Sequence, residues 1–198
     1  MSHSSTKNKI LSIGIDVGSS NGAISVVDQD LNILLLTKAP TYQTLVTSKR
    51  NKSKLNKETL MYEKDYRKRN WVDFKALGEL LSPFKDKDIL YTIEKIHVRP
   101  GEGELTSYMN GNSLGIFQGM YSLLNPIRYY EPTPITWKSD LGVSSDKSTS
   151  IKLAEDLYQV NLKDFLPKGK VDDIAEALLL SFYGLRQYII KEKKENAN

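Results

Sequence analysis

The fold is decided first by Ile10-Leu-Ser-Ile-Gly-Ile-Asp16, a short apolar run that ends at the turn Val17-Gly-Ser-Ser-Asn-Gly22. Two more apolar runs follow, at residues 23–27 and 33–36, and the turn 28–32 lies between them. Short apolar runs separated by turn residues are typical of antiparallel strands joined by tight connections. The first part of the chain is therefore predicted to form an antiparallel meander.

Strands alternate with helices in the rest of the chain. Asn70 is predicted to cap a helix that presents apolar side chains on one face, namely Trp71, Phe74, Leu77, Leu80 and Leu81. Buried strands are predicted at residues 89–93 and 127–130, and helices at 113–124, about 148–160 and 171 to about 191. This alternation predicts an α/β fold with a mixed sheet, an antiparallel meander followed by parallel strands, flanked by helices.

Composition narrows the classes of function. The chain has 198 residues, enough for one well-packed domain, with 39% apolar and 26% charged residues. No apolar run is long enough to cross a bilayer, and the polar start lacks a signal-peptide core, so a cytoplasmic protein without membrane contact is expected. With no cysteine and two histidines, a bound metal would need mainly oxygen ligands, which favours Mg²⁺ or Mn²⁺.

The formal charge of +4 is distributed unevenly. Residues 49–69 carry nine basic and three acidic side chains, so this segment is strongly basic and the remainder of the chain is weakly acidic. A single domain is predicted over residues 9–192, with a basic insertion at about 40–70, a disordered tail at 1–8 and a C-terminal tail at 193–198. The insertion is interpreted as a flexible hairpin or a short helix.

The basic insertion has two interpretations. It could bind nucleic-acid phosphates, or it could be a solvated loop with no partner. The candidate DNA-binding residues in it are Lys49, Arg50, Lys52, Lys54, Arg67, Lys68 and Arg69.

Four acidic residues stand where a metal site would need them. Asp16 ends the first predicted strand, Glu94 ends a later one, and Asp173 and Glu176 lie three apart on a predicted helix. Two metal ions about 3.5–4 Å apart, clamped by carboxylates, can activate water and stabilise the leaving oxygen in phosphodiester hydrolysis. Each acid also has a simpler explanation: a turn residue at Asp16, a surface charge at Glu94, and helix-dipole complementarity at Asp172 and Asp173.

These motifs resemble the RuvC-type Holliday-junction resolvases and their bacteriophage and poxvirus relatives. Ile13-Gly-Ile-Asp16-Val-Gly-Ser is similar to the opening strand with its metal-binding aspartate, and Ile93-Glu94 to the strand-end glutamate. Asp173-Ile-Ala-Glu176-Ala-Leu is similar to the closing helix with its two acids. The ordered agreement covers roughly residues 10 to 188.

Two intervening segments extend the resemblance. Asn112-Ser-Leu-Gly115-Ile-Phe-Gln-Gly119 resembles the glycine-marked helix that follows the glutamate. Pro134-Ile-Thr-Trp-Lys138 and the residues up to Lys147 resemble the region whose basic residues meet the scissile phosphate. Without that match, Lys138 and Lys147 would be taken for ordinary surface lysines. Trp137 could face DNA, although a core position is favoured for it.

The resemblance implies an RNase H-like fold and a homodimer that resolves Holliday junctions and other branched DNA by paired, symmetric nicks. It implies a Mg²⁺-dependent crossover junction endodeoxyribonuclease that binds two ions per site and in which Mn²⁺ can replace Mg²⁺. The implied metal ligands are Asp16, Glu94, Asp173 and Glu176, and the implied catalytic set adds Lys138 and Lys147. The location would be cytoplasmic, in the host cytoplasm for a viral enzyme.

The sequence departs from the bacterial pattern at three places. Glu176 replaces an aspartate, which leaves Asp172 as an alternative fourth ligand. His97 stands near the position where the bacterial enzymes carry an aromatic residue that stacks at the junction centre. An imidazole can also stack on bases, and a loop histidine without such a role is the alternative. The basic insertion is absent from the compact bacterial pattern, which favours a phage-like enzyme that accepts a wider range of branches, forks among them.

Two other classes of function stay open. Gly14-Ile-Asp16-Val-Gly-Ser-Ser-Asn-Gly22 would suit a phosphate-binding hairpin of the actin-like kinases and ATPases, although those proteins need a second, similar domain. A non-catalytic module that only binds branched DNA is the other alternative.

Overall fold

The computed structural model describes residues 9–18, 22–47, 54–55, 62–63, 66–97 and 101–196. The strands in chain order are β1 Leu11–Asp16, β2 Ala23–Asp28, β3 Ile33–Lys38, β4 Thr41–Thr47, β5 Lys54–Leu55, β6 Tyr62–Glu63, β7 Tyr66–Val72, β8 Ile89–Ile93 and β9 Arg128–Tyr130. The helices are α1 Phe74–Leu81, α2 Glu104–Leu124, α3 Pro134–Leu141, α4 Lys147–Tyr158, α5 Leu162–Phe165 and α6 Asp172–Glu195. A 3₁₀ turn, Ser82–Phe84, follows α1.

The central sheet has five strands in the order β3-β2-β1-β8-β9. The pairs β1–β2 and β2–β3 are antiparallel, whereas β1–β8 and β8–β9 are parallel. This confirms the predicted mixed sheet, in which an antiparallel meander is extended by parallel strands. The parallel pairing brings the carboxyl ends of β1 and β8 to the same edge.

Helices cover both faces of the sheet. In β1, Ile13 and Ile15 point toward α1 and α2, in a core that includes Leu77 and Phe117. The opposite core holds Trp137 of α3 and much of α6. Side chains alternate between the two faces of a strand, and both faces are covered here, so both must be compatible with burial.

Helix α6 lies unusually close to β1. A Cβ atom at Gly14 would overlap the Ala177 carbonyl oxygen and the Ser181 amide, so only glycine permits this approach. The Ser12 hydroxyl donates to the Ser181 carbonyl at 2.8 Å, and the Ser25 hydroxyl donates to the Ala177 carbonyl at 2.8 Å. These buried contacts fix the position of α6 over β1.

The basic insertion includes a hairpin. Strand β4 pairs antiparallel with β7, from Thr41 opposite Val72 to Thr47 opposite Tyr66, and the short strands β5 and β6 pair with each other. In the described part of the insertion, the hairpin is the predicted alternative that is observed. We call the segment from β4 to β7 the arm.

The predicted start of the first helix is wrong. Asn70 and Trp71 belong to β7, because their backbones pair with Gln43 and Tyr42 of β4. The cap is Asp73, whose carboxylate accepts hydrogen bonds from the Lys75 and Ala76 amides. Phe74 is 66% exposed and does not share the buried face of α1.

Several helix and strand ends also differ from the prediction. Helix α2 begins at Glu104 rather than at residue 113, and its cap is Gly103, which has an extended backbone. The negative charge of Glu104 in the first turn interacts favourably with the helix dipole. Strand β9 begins at Arg128. Helix α6 continues to Glu195, three residues into the predicted tail. In the described part of the chain, no helix is both long and apolar enough to span a membrane.

Candidate active site

The first two candidate acids are neighbours across a parallel strand pair. Asp16 is the last residue of β1 and Glu94 follows β8 directly. Ile15 lies in register with Ile93, and the Glu94 amide donates to the Ile15 carbonyl at 3.0 Å. The pairing therefore places both carboxylates at one edge of the sheet. Asp16 is only 9% exposed.

The other two candidate acids come from the start of α6. Asp173 and Glu176 lie one turn apart, and their side chains are 20% and 12% exposed. The close seating of α6 on Gly14 brings this end of the helix to the edge that carries Asp16 and Glu94. All four acids line one cleft of about 800 Å³, together with Lys138 and Lys147. We call it the carboxylate cleft.

The charge of Asp16 is destabilised by its surroundings. Burial raises the pKa of the Asp16 carboxyl well above its usual range, and the negative charges of Glu94, Glu176 and Asp173 raise it further. The positive charge of Lys38 acts in the opposite direction. The four acids are thus close enough to repel one another, and a cation among them would relieve this repulsion.

Lysines pair with the acids of the cleft and its rim. The Lys138 ammonium donates to Glu176 Oε1 at 2.7 Å, Lys38 pairs with Asp173, and Lys147 pairs with Asp172. Within the ranges described, no three acidic or imidazole side chains converge closely enough to hold one ion in the conformation observed. In this conformation, ammonium groups provide the positive charge next to the acids.

Asp172 is placed differently from Glu176. It is buried but does not line the carboxylate cleft; it lies in an adjoining cleft beside Lys147. Burial alone would raise the pKa of Asp172, but the hydrogen bond and charge of Lys147 outweigh that effect, so the pKa is lowered. The same hydrogen bond is the main reason that the pKa of Lys147 is raised.

Two functional candidates were missed in the sequence. Trp137, a fully buried residue of α3, donates its indole N–H to Glu94 Oε1 at 2.9 Å and so orients that carboxylate. From the sequence, Trp137 is expected to take a core position or to face DNA, and neither expectation includes the hydrogen bond to Glu94. Lys38 stands opposite Ala23, which stands opposite Asp16. Counting the meander register would therefore have placed Lys38 at the edge of the carboxylates.

The predicted DNA-binding residues lie elsewhere. His97 is exposed, three residues beyond Glu94, and is not among the residues that line the carboxylate cleft. In the arm, Arg67 and Lys68 are exposed and Arg69 is half-buried; Lys68 and Arg69 line a separate cleft against α2. Lys54 lies in β5, and Lys49, Arg50 and Lys52 lie outside the described residues.

Comparison with solved structures identifies the fold of the chain. No protein-family model and no curated protein sequence matches the chain. The structure resembles T. thermophilus RuvC in complex with a Holliday junction substrate, with a TM-score of 0.57 and 14% identity over 90% of this chain and 96% of that one. The chain has the RNase H-like fold of the RuvC-type resolvases. At this level of identity, the likeness establishes the fold alone.

Two further resolvases are similar. The yeast mitochondrial Holliday junction resolvase matches with a TM-score of 0.52 and 16% identity, over 91% of this chain and 80% of that one. The fowlpox virus Holliday junction resolvase matches with a TM-score of 0.47 and 13% identity, over 89% and 99%. The yeast and T. thermophilus structures support the RNase H-like fold predicted from the sequence.

The donor set of this RNase H-like site fits hard cations. The carboxylate cleft offers oxygen donors from Asp16, Glu94, Asp173 and Glu176, which is the chemistry that Mg²⁺ and Mn²⁺ prefer. The buried and mutually repelling charges at Asp16 are the observation that supports this fit. The chemistry of these donors is therefore compatible with divalent cations.

Proposed function

We propose that the chain is a structure-selective endonuclease that resolves Holliday junctions and other branched DNA by divalent-metal-dependent hydrolysis, giving paired nicks. The observation that carries the proposal is the convergence of Asp16, Glu94, Asp173 and Glu176 with two lysines in one cleft. Support also comes from the fold, because the solved structures that share it include a RuvC bound to a Holliday junction substrate.

The four acids would be the metal ligands. Asp16, Glu94, Asp173 and Glu176 would hold Mg²⁺, or Mn²⁺ in its place, as two ions per site. When bound, the metal would supply an activated water and stabilise charge on the leaving oxygen. Glu176 is preferred to Asp172 as the fourth ligand, because only Glu176 lines the carboxylate cleft.

The remaining residues of the cleft would orient groups and bind the phosphate. Trp137 holds Glu94 through the indole hydrogen bond, which limits the positions its carboxylate can take. Lys138 and Lys147 also line the cleft, and the Lys138 ammonium lies beside Glu176. There they would donate hydrogen bonds to the non-bridging phosphate oxygens, whose negative charge must be stabilised during the displacement.

Paired nicks require two such sites on one junction. The described part of the chain contains one carboxylate cleft of this kind, so we propose that a homodimer supplies the second. The protein would act in the cytoplasm, or in the host cytoplasm if it is viral. His97 and the basic residues of the arm would contact the DNA outside the carboxylate cleft.

A panel of labelled DNA substrates tests the proposal. A four-way junction, a fork and a linear duplex of equal length are incubated with the protein in Mg²⁺, in Mn²⁺ and in EDTA. We expect paired nicks in the four-way junction with either metal, slower cutting of the fork, little cutting of the duplex, and none in EDTA. Binding of the junction without cutting under every metal condition would instead support the non-catalytic alternative.

A further inference from the structure

A second cleft adjoins the carboxylate cleft, and most of the charged groups in it are lysines. It has a volume of about 340 Å³. The charged residues that line it are Lys38, Lys147, Lys168, Lys170, Asp172 and Asp173. We call it the lysine cleft.

The positive charge of the lysine cleft is only partly compensated. Its two acids are already paired, Asp172 with Lys147 and Asp173 with Lys38. Lys168 and Lys170 are exposed, and neither has an ion-pair partner among the residues that the structure describes. Two ammonium groups therefore face the cleft with their charge available for an anion.

The loop that carries these two lysines has a defined conformation. Gly169, between them, has a φ of 104°, a backbone geometry that side-chain-bearing residues rarely adopt. The Lys163 ammonium donates to the Gly169 carbonyl at 2.9 Å, and the neighbouring Leu162 is fully buried. The turn is thus fixed to the body of the protein, so Lys168 and Lys170 are presented from an ordered support.

The lysine cleft is continuous with the candidate active site. Asp173 and Lys147 line both clefts. A DNA strand whose scissile phosphate lies at the carboxylates would therefore pass directly into the lysine cleft. Successive phosphates along a strand carry one negative charge each, which matches the excess positive charge found there.

We propose that the lysine cleft binds a backbone phosphate of the cleaved strand, next to the scissile phosphate, through Lys168 and Lys170. This inference rests on the proposed function, since it assigns the path of the DNA substrate through the same site. Lysine contacts with phosphate position a strand without reading its bases, so the contact would act on every sequence alike. It would fix the register of the strand relative to the carboxylates.

The test compares two double variants that remove the same charge. The first is Lys168→Gln with Lys170→Gln. The control is Lys85→Gln with Lys87→Gln, two exposed lysines with the same spacing just before β8, at the opposite end of the sheet from Glu94. Junction binding is measured in EDTA at several salt concentrations for both variants and the wild type, and thermal unfolding verifies that each variant is folded.

Loss of a phosphate contact changes the dependence of binding on salt. We expect the slope of log K against log salt to become shallower by about 1–2 in the Lys168/Lys170 variant, with affinity reduced about tenfold. The control should keep the wild-type slope. Equal slopes in the variant and the wild type would overturn the proposed contact.

Uncharged analogues of the phosphate group then locate the contact on the DNA. A methylphosphonate is placed at single positions on each side of the cleavage point of the junction. At one position next to the cleavage point, the methylphosphonate should weaken junction binding by the wild type and by the control. The Lys168/Lys170 variant should bind this modified junction as well as it binds the unmodified one. Equal weakening in all three proteins at every position would overturn the assignment.

Failure of the subsite can be distinguished from failure of the proposed function. If the wild type cuts junctions while the Lys168/Lys170 variant keeps its salt slope, the subsite alone is wrong. If the wild type neither binds nor cuts any branched DNA, both inferences are overturned together.

Discussion

The carboxylate cleft and the arm both concentrate charge, but they hold it in different ways. In the cleft, acids are buried or half-buried at the ends of β1 and β8 and on α6, where packing and hydrogen bonds fix their positions. In the arm, Arg67 and Lys68 are exposed on a hairpin strand. Fixed charge at low exposure can organise a reaction, whereas exposed charge mainly attracts a partner. Changes in the two regions should therefore affect different measurements.

The largest effect is expected from Asp16→Asn in the carboxylate cleft. The amide keeps the shape of the side chain but removes the charge that would hold a metal, so junction cleavage should fall at least about a thousandfold. Binding in EDTA should change little. Asp30→Asn, which removes an exposed acid paired with Lys9, is the matched control and should cut at the wild-type rate. Cleavage by Asp16→Asn at that same rate would refute the catalytic assignment.

The second prediction concerns the seating of α6. In Gly14→Ala the new methyl group would collide with the backbone of α6 at Ala177 and Ser181, which would displace Asp173 and Glu176. We expect unfolding free energy to fall by about 1–3 kcal/mol and cleavage to fall about a hundredfold. Denaturant titration and single-turnover cleavage measure the two effects.

Gly115→Ala provides the comparison for this glycine. A Cβ at Gly115 would meet nothing within 4 Å, so this change should stabilise α2 by about 0.5–1 kcal/mol through helix propensity. If both variants behaved alike, the close approach of α6 to β1 would have no energetic importance.

The acids were predictable from the sequence because each stands at the boundary of a regular element. Asp16 and Glu94 end apolar runs, and the spacing of Asp173 and Glu176 is helical. Their convergence was supplied by the resemblance rather than by periodicity, since a run of apolar residues does not reveal its partner strand. The parallel pairing of β1 with β8 is the tertiary fact that joins them.

The remaining features depend on contacts that are distant in sequence. The helical spacing of Trp71 and Phe74 led to a helix that began too early, because pairing with β4 holds Trp71 in a strand. The role of Trp137 depends on a hydrogen bond to a residue 43 positions away. Lys168 and Lys170 belong to none of the sequence motifs described above, and only the fold places their cleft beside Asp173.

The third prediction tests Trp137 as a positioning residue. Trp137→Phe keeps a buried aromatic ring but removes the hydrogen bond to Glu94 Oε1. Loss of such support for a metal ligand typically costs about 10–100-fold in metal affinity or activity. We expect weaker Mg²⁺ binding by calorimetry and a cleavage rate partly restored at high Mg²⁺. A slow rate with unchanged Mg²⁺ affinity would indicate a purely structural role.

The fourth prediction concerns stability and pH. Burial and the nearby acids raise the pKa of Asp16 in the folded protein above its unfolded value of about 3.9. The folded state thus binds this proton more tightly, and stability decreases as pH rises from about 4 through the higher folded pKa. Asparagine does not ionise, so the Asp16→Asn variant does not lose stability in this way. In EDTA at pH 7, its unfolding free energy should exceed that of the wild type by about 1–3 kcal/mol.

Denaturant unfolding between pH 4 and pH 8 measures this difference. The advantage of Asp16→Asn should shrink toward pH 4, where the wild-type carboxyl is increasingly protonated in the folded state. An advantage of the same size at every pH would show that charge on Asp16 is not its source.

The smallest effect on the chemical step is expected in the arm, from Arg67→Gln with Lys68→Gln. Both side chains are exposed, so unfolding free energy should change by less than about 0.5 kcal/mol. Junction affinity should fall and its salt slope should become shallower by at most about 2. Single-turnover cleavage at saturating protein should keep the wild-type rate, because the arm would supply attraction and not the reacting geometry. A slower rate under saturation would mean that the arm also shapes the carboxylate cleft.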